Sequence, residues 1–83
     1  MEDWFVYILE CNDGTYYTGT TTNLCRRIGQ HAAGKGAKYT RGRTPIRLVY
    51  SEVAHGRSRA QRRESEIKKL NARKKKDMIA TGE

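Results

Sequence analysis

Apolar and polar positions divide the chain into short stretches of differing period. Residues 4 to 10, WFVYILE, form an aromatic and β-branched run with little alternation, the pattern of a strand covered on both faces. NDG at 12 to 14 is a hairpin signal, and TYYTGTT at 15 to 21 reads as the returning strand. Thr22 or Asn23 can cap a helix running to about Ala33, where Gly34 stops it. Within it Leu24, Ile28, His31 and Ala32 recur at i, i+4, i+7 and i+8, one face of the helix. KGAKYTRGRTP, 35 to 45, is a glycine-rich basic loop, and IRLVYSEVA, 46 to 54, alternates as a third strand. Ser58 and Gln61 have the spacing of a capping box, which opens a helix over Arg59–Leu70. Asn71 can cap a last helix, ARKKKDMIA. The order ββαβαα predicts an α+β fold: a small, three-stranded, mainly antiparallel sheet flanked by helices. At 83 residues it is expected to be a single domain, residues 1–83.

Charge changes this picture, because it is unevenly placed. Residues 1 to 25 contain four acids and no Lys or Arg; residues 26 to 83 hold all 17 basic residues and five acids, a net of +12. Such asymmetry points to a polyanionic partner, most simply nucleic acid. No run approaches the roughly 18 apolar residues of a membrane span, and the acidic N-terminus lacks the basic region and cleavage site of a signal peptide. The expected compartment is the cytoplasm. Cys11 and Cys25 are too few for a disulfide framework and lack metal-ligand spacing, so both are expected as free thiols.

Hairpin length decides what the tyrosines do. A two-residue Asp13-Gly14 turn would put Tyr7 and Tyr17 on opposite faces of the sheet. A three-residue loop, Asn12-Asp13-Gly14 with Gly14 left-handed, pairs Tyr7 with Gly19 and Leu9 with Tyr17, so both tyrosines share one face. Gly19 would then leave open space beside Tyr7. The second register builds a pocket; the first does not.

Two helices carry residues that packing alone does not explain. Arg27 and His31 lie one turn apart and border the apolar stripe of their helix. A snorkelling arginine and a satisfied core histidine would also account for them. On the helix from 59 to 70, Glu64 is four residues after Ala60 and three before Ile67, so it lies on the apolar side. A carboxylate there needs a partner. An ion pair with Arg27 is one reading; ligation of a magnesium-type cation is the other, since hard cations take carboxylate oxygen and keep several waters.

At this point the residues resemble a known family. FVYIL, followed after a hairpin by YTG, resembles the paired tripeptides of the GIY-YIG nuclease superfamily, here as Val6-Tyr7 and Tyr17-Thr18-Gly19. TNLCRRIGQH looks like the family's second motif, with Arg27 and His31, and AQRRESEIKKL like its metal-binding motif, with Glu64 in the ligand position. The match is closest to small stand-alone bacterial members. The resemblance implies a phosphodiesterase using one divalent cation, Mg2+ or Mn2+, held by Glu64 and the scissile phosphate. It implies that Tyr7 activates or orients the attacking water and that Tyr17 hydrogen-bonds water or phosphate. Arg27 would neutralise charge on the pentavalent phosphate, and His31 would relay a proton from Tyr7. A phenol with an ordinary pKa of about 10 needs nearby cations to act as a base near neutrality, and Arg27 and the metal are expected to supply them.

The chain also departs from the pattern. Phe5-Val6 replaces the first Gly-Ile, and Thr20 follows YTG where some repair nucleases carry a lysine. Asn71 lies too near Glu64 to take the role of a later family asparagine; a helix cap suffices.

The expectation is therefore a metal-dependent endonuclease acting on DNA before RNA, including branched, nicked or damaged DNA. Lys35, Lys38, Arg41, Arg43 and Arg47 would bind backbone phosphates and Tyr39 would stack on a base. The alternative is a nucleic-acid-binding module with weak or lost catalysis.

Overall fold

A computed structural model describes residues 3–82. Three strands, β1 (Asp3–Glu10), β2 (Tyr16–Thr21) and β3 (Arg47–His55), form one sheet in the order β2-β1-β3. Three helices, α1 (Leu24–Ala32), α2 (Arg57–Lys68) and α3 (Ala72–Thr81), complete the expected ββαβαα order. Both strand pairings are antiparallel. β1 is central, which is why its apolar run does not alternate: Val6, Tyr7, Ile8 and Leu9 are all buried.

The hairpin adopts the three-residue register. Cys11 N–H donates to the Thr15 carbonyl at 2.8 Å, and Gly14 takes φ +83°. Tyr7 consequently pairs with Gly19, and Leu9 with Tyr17. Asp13 accepts from the backbone and side chain of Thr15 and pairs with Arg43. These hydrogen bonds and the nearby guanidinium hold its carboxyl below the usual range. Asn12 adds bonds to the Arg43 and Thr44 carbonyls, so the hairpin tip holds the far end of the basic loop.

The faces of the sheet divide the labour. Val6, Ile8, Tyr50 and Ala54 pack with Ala60 and Ile67 of α2 and Met78 of α3, with Trp4, Tyr16 and Leu70 around them. Tyr7, Leu9 and Tyr17 alternate with these positions and point the other way. A bulge at Ile8/Leu9 shifts the β1–β3 register by one. Both cysteines are free, as expected: Cys11 buried, Cys25 exposed.

Helix ends refine the sequence reading. Asn23, not Thr22, caps α1 through Oδ1 to the Arg26 N–H at 3.0 Å. The helix stops at Gly34, φ +76°, with Gly34 bonding the His31 carbonyl and Lys35 that of Gln30, the paired bonds of a Schellman end. Ala32, expected on the buried stripe, is exposed. The Ser58 capping box does not form: α2 begins at Arg57 behind Gly56, without a side-chain cap. β3 ends at His55, so one residue must reverse the chain, and Gly56 does so at φ +105°, a value glycine alone adopts easily. Asn71 caps α3 as expected, bonding the Lys74 N–H at 2.9 Å. Among the described residues no helix is long and apolar enough to cross a membrane.

Candidate functional site

On the sheet face opposite the main core, strand, helix and loop bring one group of side chains together. β1 supplies Tyr7, β2 supplies Tyr17 and Gly19, and α1 supplies Arg27 and His31; from α2, which packs on the core face, Glu64 comes near enough for its charge to act on Tyr7. The Tyr7 hydroxyl lies 2.9 Å from His31 Nε2. The Tyr7 and Tyr17 rings are 6.4 Å apart between centroids, and Tyr17 is 5.2 Å from the His31 ring. Gly19 is the residue that admits this arrangement. A Cβ there would fall 2.6 Å from Tyr7 Oη and 3.0 Å from Tyr17 Cε2. The open space expected beside Tyr7 is filled by the Tyr7 ring itself.

Burial sets the protonation of the central pair. Tyr7 and His31 expose 1% and 0% of their surface. Burial pushes the Tyr7 phenol up to about 12, against the pull of Arg27, while Tyr17 and Glu64 push the same way as burial. Burial and the Arg27 charge lower His31 below its usual value. At neutral pH both groups are therefore neutral. The expectation that Arg27 would help bring the phenol toward neutrality is met in direction only: desolvation outweighs it.

Arg27 is half-buried and donates through Nη1 to Gln30 Oε1 at 2.9 Å. Glu64 does not pair with Arg27. Its Oε2 meets Lys68 Nζ at 3.1 Å, one turn along α2, and the carboxylate side chain keeps 22% exposure. Its charge is near enough to Tyr7 to oppose ionisation of the phenol. Glu64 is a single carboxylate, and among the described residues no group of three or more His, Cys, Asp or Glu side chains could hold a metal ion. That donor set fits a hard cation that keeps waters and takes oxygen from a phosphate. It does not fit a closed protein cage of the kind zinc occupies.

The basic loop is less free than its sequence suggests. Arg43 is paired with Asp13 and lies 4.3 Å over the Tyr39 ring, and Arg47 pairs with Glu10 at 2.6 Å. Tyr39 stacks on Tyr17 at 6.0 Å, so it touches the site rather than standing free. Lys35, Lys38 and Arg41 are exposed and have no ion-pair partner among the described residues.

Two loop residues escaped sequence reasoning. Thr40 ends a 3₁₀ turn, Lys38–Thr40, and is fully buried, with Oγ1 2.8 Å from His31 Nδ1. Gly36 backs onto the same edge of the ring: a Cβ there would fall 2.2 Å from Nδ1. A threonine between Tyr39 and Arg41 has no periodic signal. The one available hint was that a buried histidine needs partners for both nitrogens.

A cavity of about 310 Å³ between the end of β3 and α2 is lined by Glu52, Val53, His55, Arg59, Arg62 and neighbouring residues, none of them a candidate.

A family model described as the GIY-YIG catalytic domain matches residues 3–77. The UPF0213 protein of Natronomonas pharaonis is 54% identical over 78 residues, covering 94% of this chain and 92% of its own. The solution NMR structure of the UPF0213 protein from Bacillus halodurans is 52% identical, with a TM-score of 0.62 over 95% of this chain and 84% of its own. A solution NMR structure of a protein from E. faecalis is 36% identical, with a TM-score of 0.66 over 98% of this chain and 86% of its own.

Proposed function

The chain belongs to the GIY-YIG family, whose domain implies nuclease-type chemistry, and from this premise we propose that it is a divalent-metal-dependent endonuclease that hydrolyses DNA phosphodiester bonds. The observation carrying the reading is the buried 2.9 Å contact between Tyr7 and His31, with Tyr17, Arg27 and Glu64 grouped around it. A phenol raised to about 12 is a poor base by itself. It becomes useful if its proton has somewhere to go as it takes another.

His31 provides that place. Water gives a proton to Tyr7 Oη while the Tyr7 proton passes to His31 Nε2. The hydroxide formed attacks phosphorus, and the P–O bond on the far side breaks. The departing alkoxide takes a proton from solvent. His31, left as an imidazolium and shut from solvent, returns its proton through Tyr7 once the product has left. No free tyrosinate builds up, so the high phenol pKa is no obstacle. Tyr17 hydrogen-bonds the water or a phosphate oxygen. The Arg27 guanidinium faces charge growing on the phosphoryl oxygens, the term that usually weighs most in such reactions. Glu64 would hold Mg2+ or Mn2+, and the cation would supply Lewis-acid stabilisation of that same charge.

The substrate is a polymer on this reading, because exposed cations of the basic loop lie beside the site. Lys35, Lys38 and Arg41 would contact backbone phosphates beside the site, with Arg43 and Arg47 reaching phosphate only by leaving their carboxylates. Tyr39 would stack on a base from its place against Tyr17. The same domain serves both binding and cleavage, within residues 1–83. The reading is tested by incubating the protein with labelled single-stranded, duplex, nicked, flap and junction DNA, and with RNA, in Mg2+ or Mn2+. A metal-dependent product from at least one DNA supports it. Salt-sensitive binding without any product would support a binding module instead.

A further inference from the structure

His31 has partners on both ring nitrogens, and they are not equivalent. Nε2 faces the Tyr7 hydroxyl at 2.9 Å. Nδ1 faces Thr40 Oγ1 at 2.8 Å and the Ala37 N–H at 3.4 Å. Thr40 Oγ1 is itself placed to donate to the Ala37 carbonyl at 2.9 Å. A hydroxyl has one proton. If Thr40 gives it to Ala37, then Thr40 can only accept at Nδ1, and Nδ1 must carry the ring hydrogen. Nε2 is then bare and accepts from Tyr7. Every proton in the row has an acceptor: Tyr7 to His31, His31 to Thr40, Thr40 to Ala37.

The opposite tautomer exchanges a good bond for a poor one. With hydrogen on Nε2, Thr40 would donate to Nδ1 and abandon the 2.9 Å contact to Ala37. In its place His31 Nδ1 would accept only the Ala37 N–H at 3.4 Å, longer than a well-formed hydrogen bond. The Tyr7 proton would also lose its acceptor. Nothing else reaches Nδ1, because Gly36 backs onto that edge and His31 is shut from solvent. The other groups facing the ring are Tyr17 from β2 and Arg27 from α1 itself.

We propose that Thr40 is a positioning residue that fixes His31 as its Nδ1–H tautomer, making Nε2 the acceptor for the proton that leaves Tyr7. The catalytic use of this tautomer rests on the reading of Tyr7 and His31 as a proton-transfer pair. The tautomer itself does not. Thr40 also joins the site to the basic loop, since the residues beside it, Lys38, Tyr39 and Arg41, face solvent where a nucleic acid would lie.

The experiment is 15N NMR of the imidazole nitrogens in the protein labelled at histidine, above pH 7 and without substrate, with exposed His55 as the internal comparison. Wild type is expected to show His31 protonated at Nδ1 with a bare Nε2. Thr40→Val, similar in shape but without a hydroxyl, is expected to lose that single tautomer, and Thr40→Ser to keep it. Cleavage should fall about 10- to 100-fold in Thr40→Val, part of what general base catalysis supplies, and recover in Thr40→Ser. An Nε2–H tautomer in wild type, or an unchanged tautomer in Thr40→Val, overturns the proposal, and the wild-type spectrum decides even if the valine variant does not fold. An Nδ1–H tautomer in a protein that cuts nothing would leave the assignment standing and remove the nuclease reading alone.

Discussion

Tyr7 and His31, 24 residues apart in sequence, are joined by a 2.9 Å hydrogen bond that lies entirely out of solvent. The bond exists because β1 and α1 close on the same face of the sheet, and because Gly19 has no side chain to keep the phenol away. Burial keeps both partners neutral at rest. The pair thus meets as two neutral groups, as the proposed proton relay requires.

Removing the Tyr7 hydroxyl should stop chemistry and spare the fold. Tyr7→Phe keeps the ring in its place and leaves His31 Nε2 without a partner, at a cost of about 1–3 kcal/mol. Cleavage is expected to fall by at least about 100-fold, the scale of a lost general base, while DNA affinity stays within a few-fold. Single-turnover rates, binding by fluorescence anisotropy and chemical denaturation of the variant check the three parts.

The glycines give opposite expectations that share one substitution. Gly19→Ala sets a methyl 2.6 Å from Tyr7 Oη and Gly36→Ala sets one 2.2 Å from His31 Nδ1, so each must displace one of the two rings. Each should destabilise by about 1–3 kcal/mol, as overpacking does, and reduce cleavage. Gly29→Ala, in the middle of α1 with nothing within 4 Å, should stabilise by about 0.5–1 kcal/mol, since alanine loses less backbone entropy in a helix. Urea midpoints of the three variants provide the comparison.

The same positions mark how far the sequence could be read. Strand order in the chain and helix positions were legible, because period and turn chemistry are local; of the two hairpin registers the residues allowed, the structure takes the one that pairs Tyr7 with Gly19. The central place of β1 was visible in a run with no alternation. What was not legible depended on contacts between distant segments. Glu64 was rightly placed on the inner side of α2, but not its pairing with Lys68. Ser58 matched a capping box, yet the one-residue link through Gly56 started the helix earlier. Thr40 had no local signal, because its role is fixed by a histidine nine residues away in another element.

Acid should weaken the fold through His31 before it reaches the carboxylates. The folded-state pKa of His31 lies below its ordinary value, so the unfolded chain binds the proton first as pH falls. The stability this gives is complete above the unfolded pKa of about 6.5 and declines as pH drops through the folded pKa. Asp13, also lowered, acts in a separate window below pH 4 or so. Denaturation midpoints between pH 7.5 and 5 should fall for wild type and stay flatter for His31→Gln, after allowing for the variant's lower starting stability.

Basic residues of the loop should differ in what their loss does. Lys38→Ala and Arg41→Ala remove exposed charges without ion-pair partners, and each should reduce the slope of log affinity against log salt by about one. Arg43→Ala breaks contacts to Asp13 and Tyr39. It should change stability little through its exposed ion pair, and loosen Tyr39 from its place. Anisotropy titrations of a labelled duplex across several salt concentrations, with thermal melts of each variant, separate the two kinds of effect.

The central claim is that Glu64 holds the cation that makes phosphodiester cleavage possible. The most direct measurement is the single-turnover cleavage rate of the best DNA substrate as Mg2+ or Mn2+ is titrated, for wild type and for Glu64→Gln, which keeps the shape and removes the charge. The account predicts a saturable metal dependence in wild type and loss of cleavage by at least about 100-fold in Glu64→Gln, with DNA binding retained. Equal, metal-dependent cleavage by both proteins would contradict it.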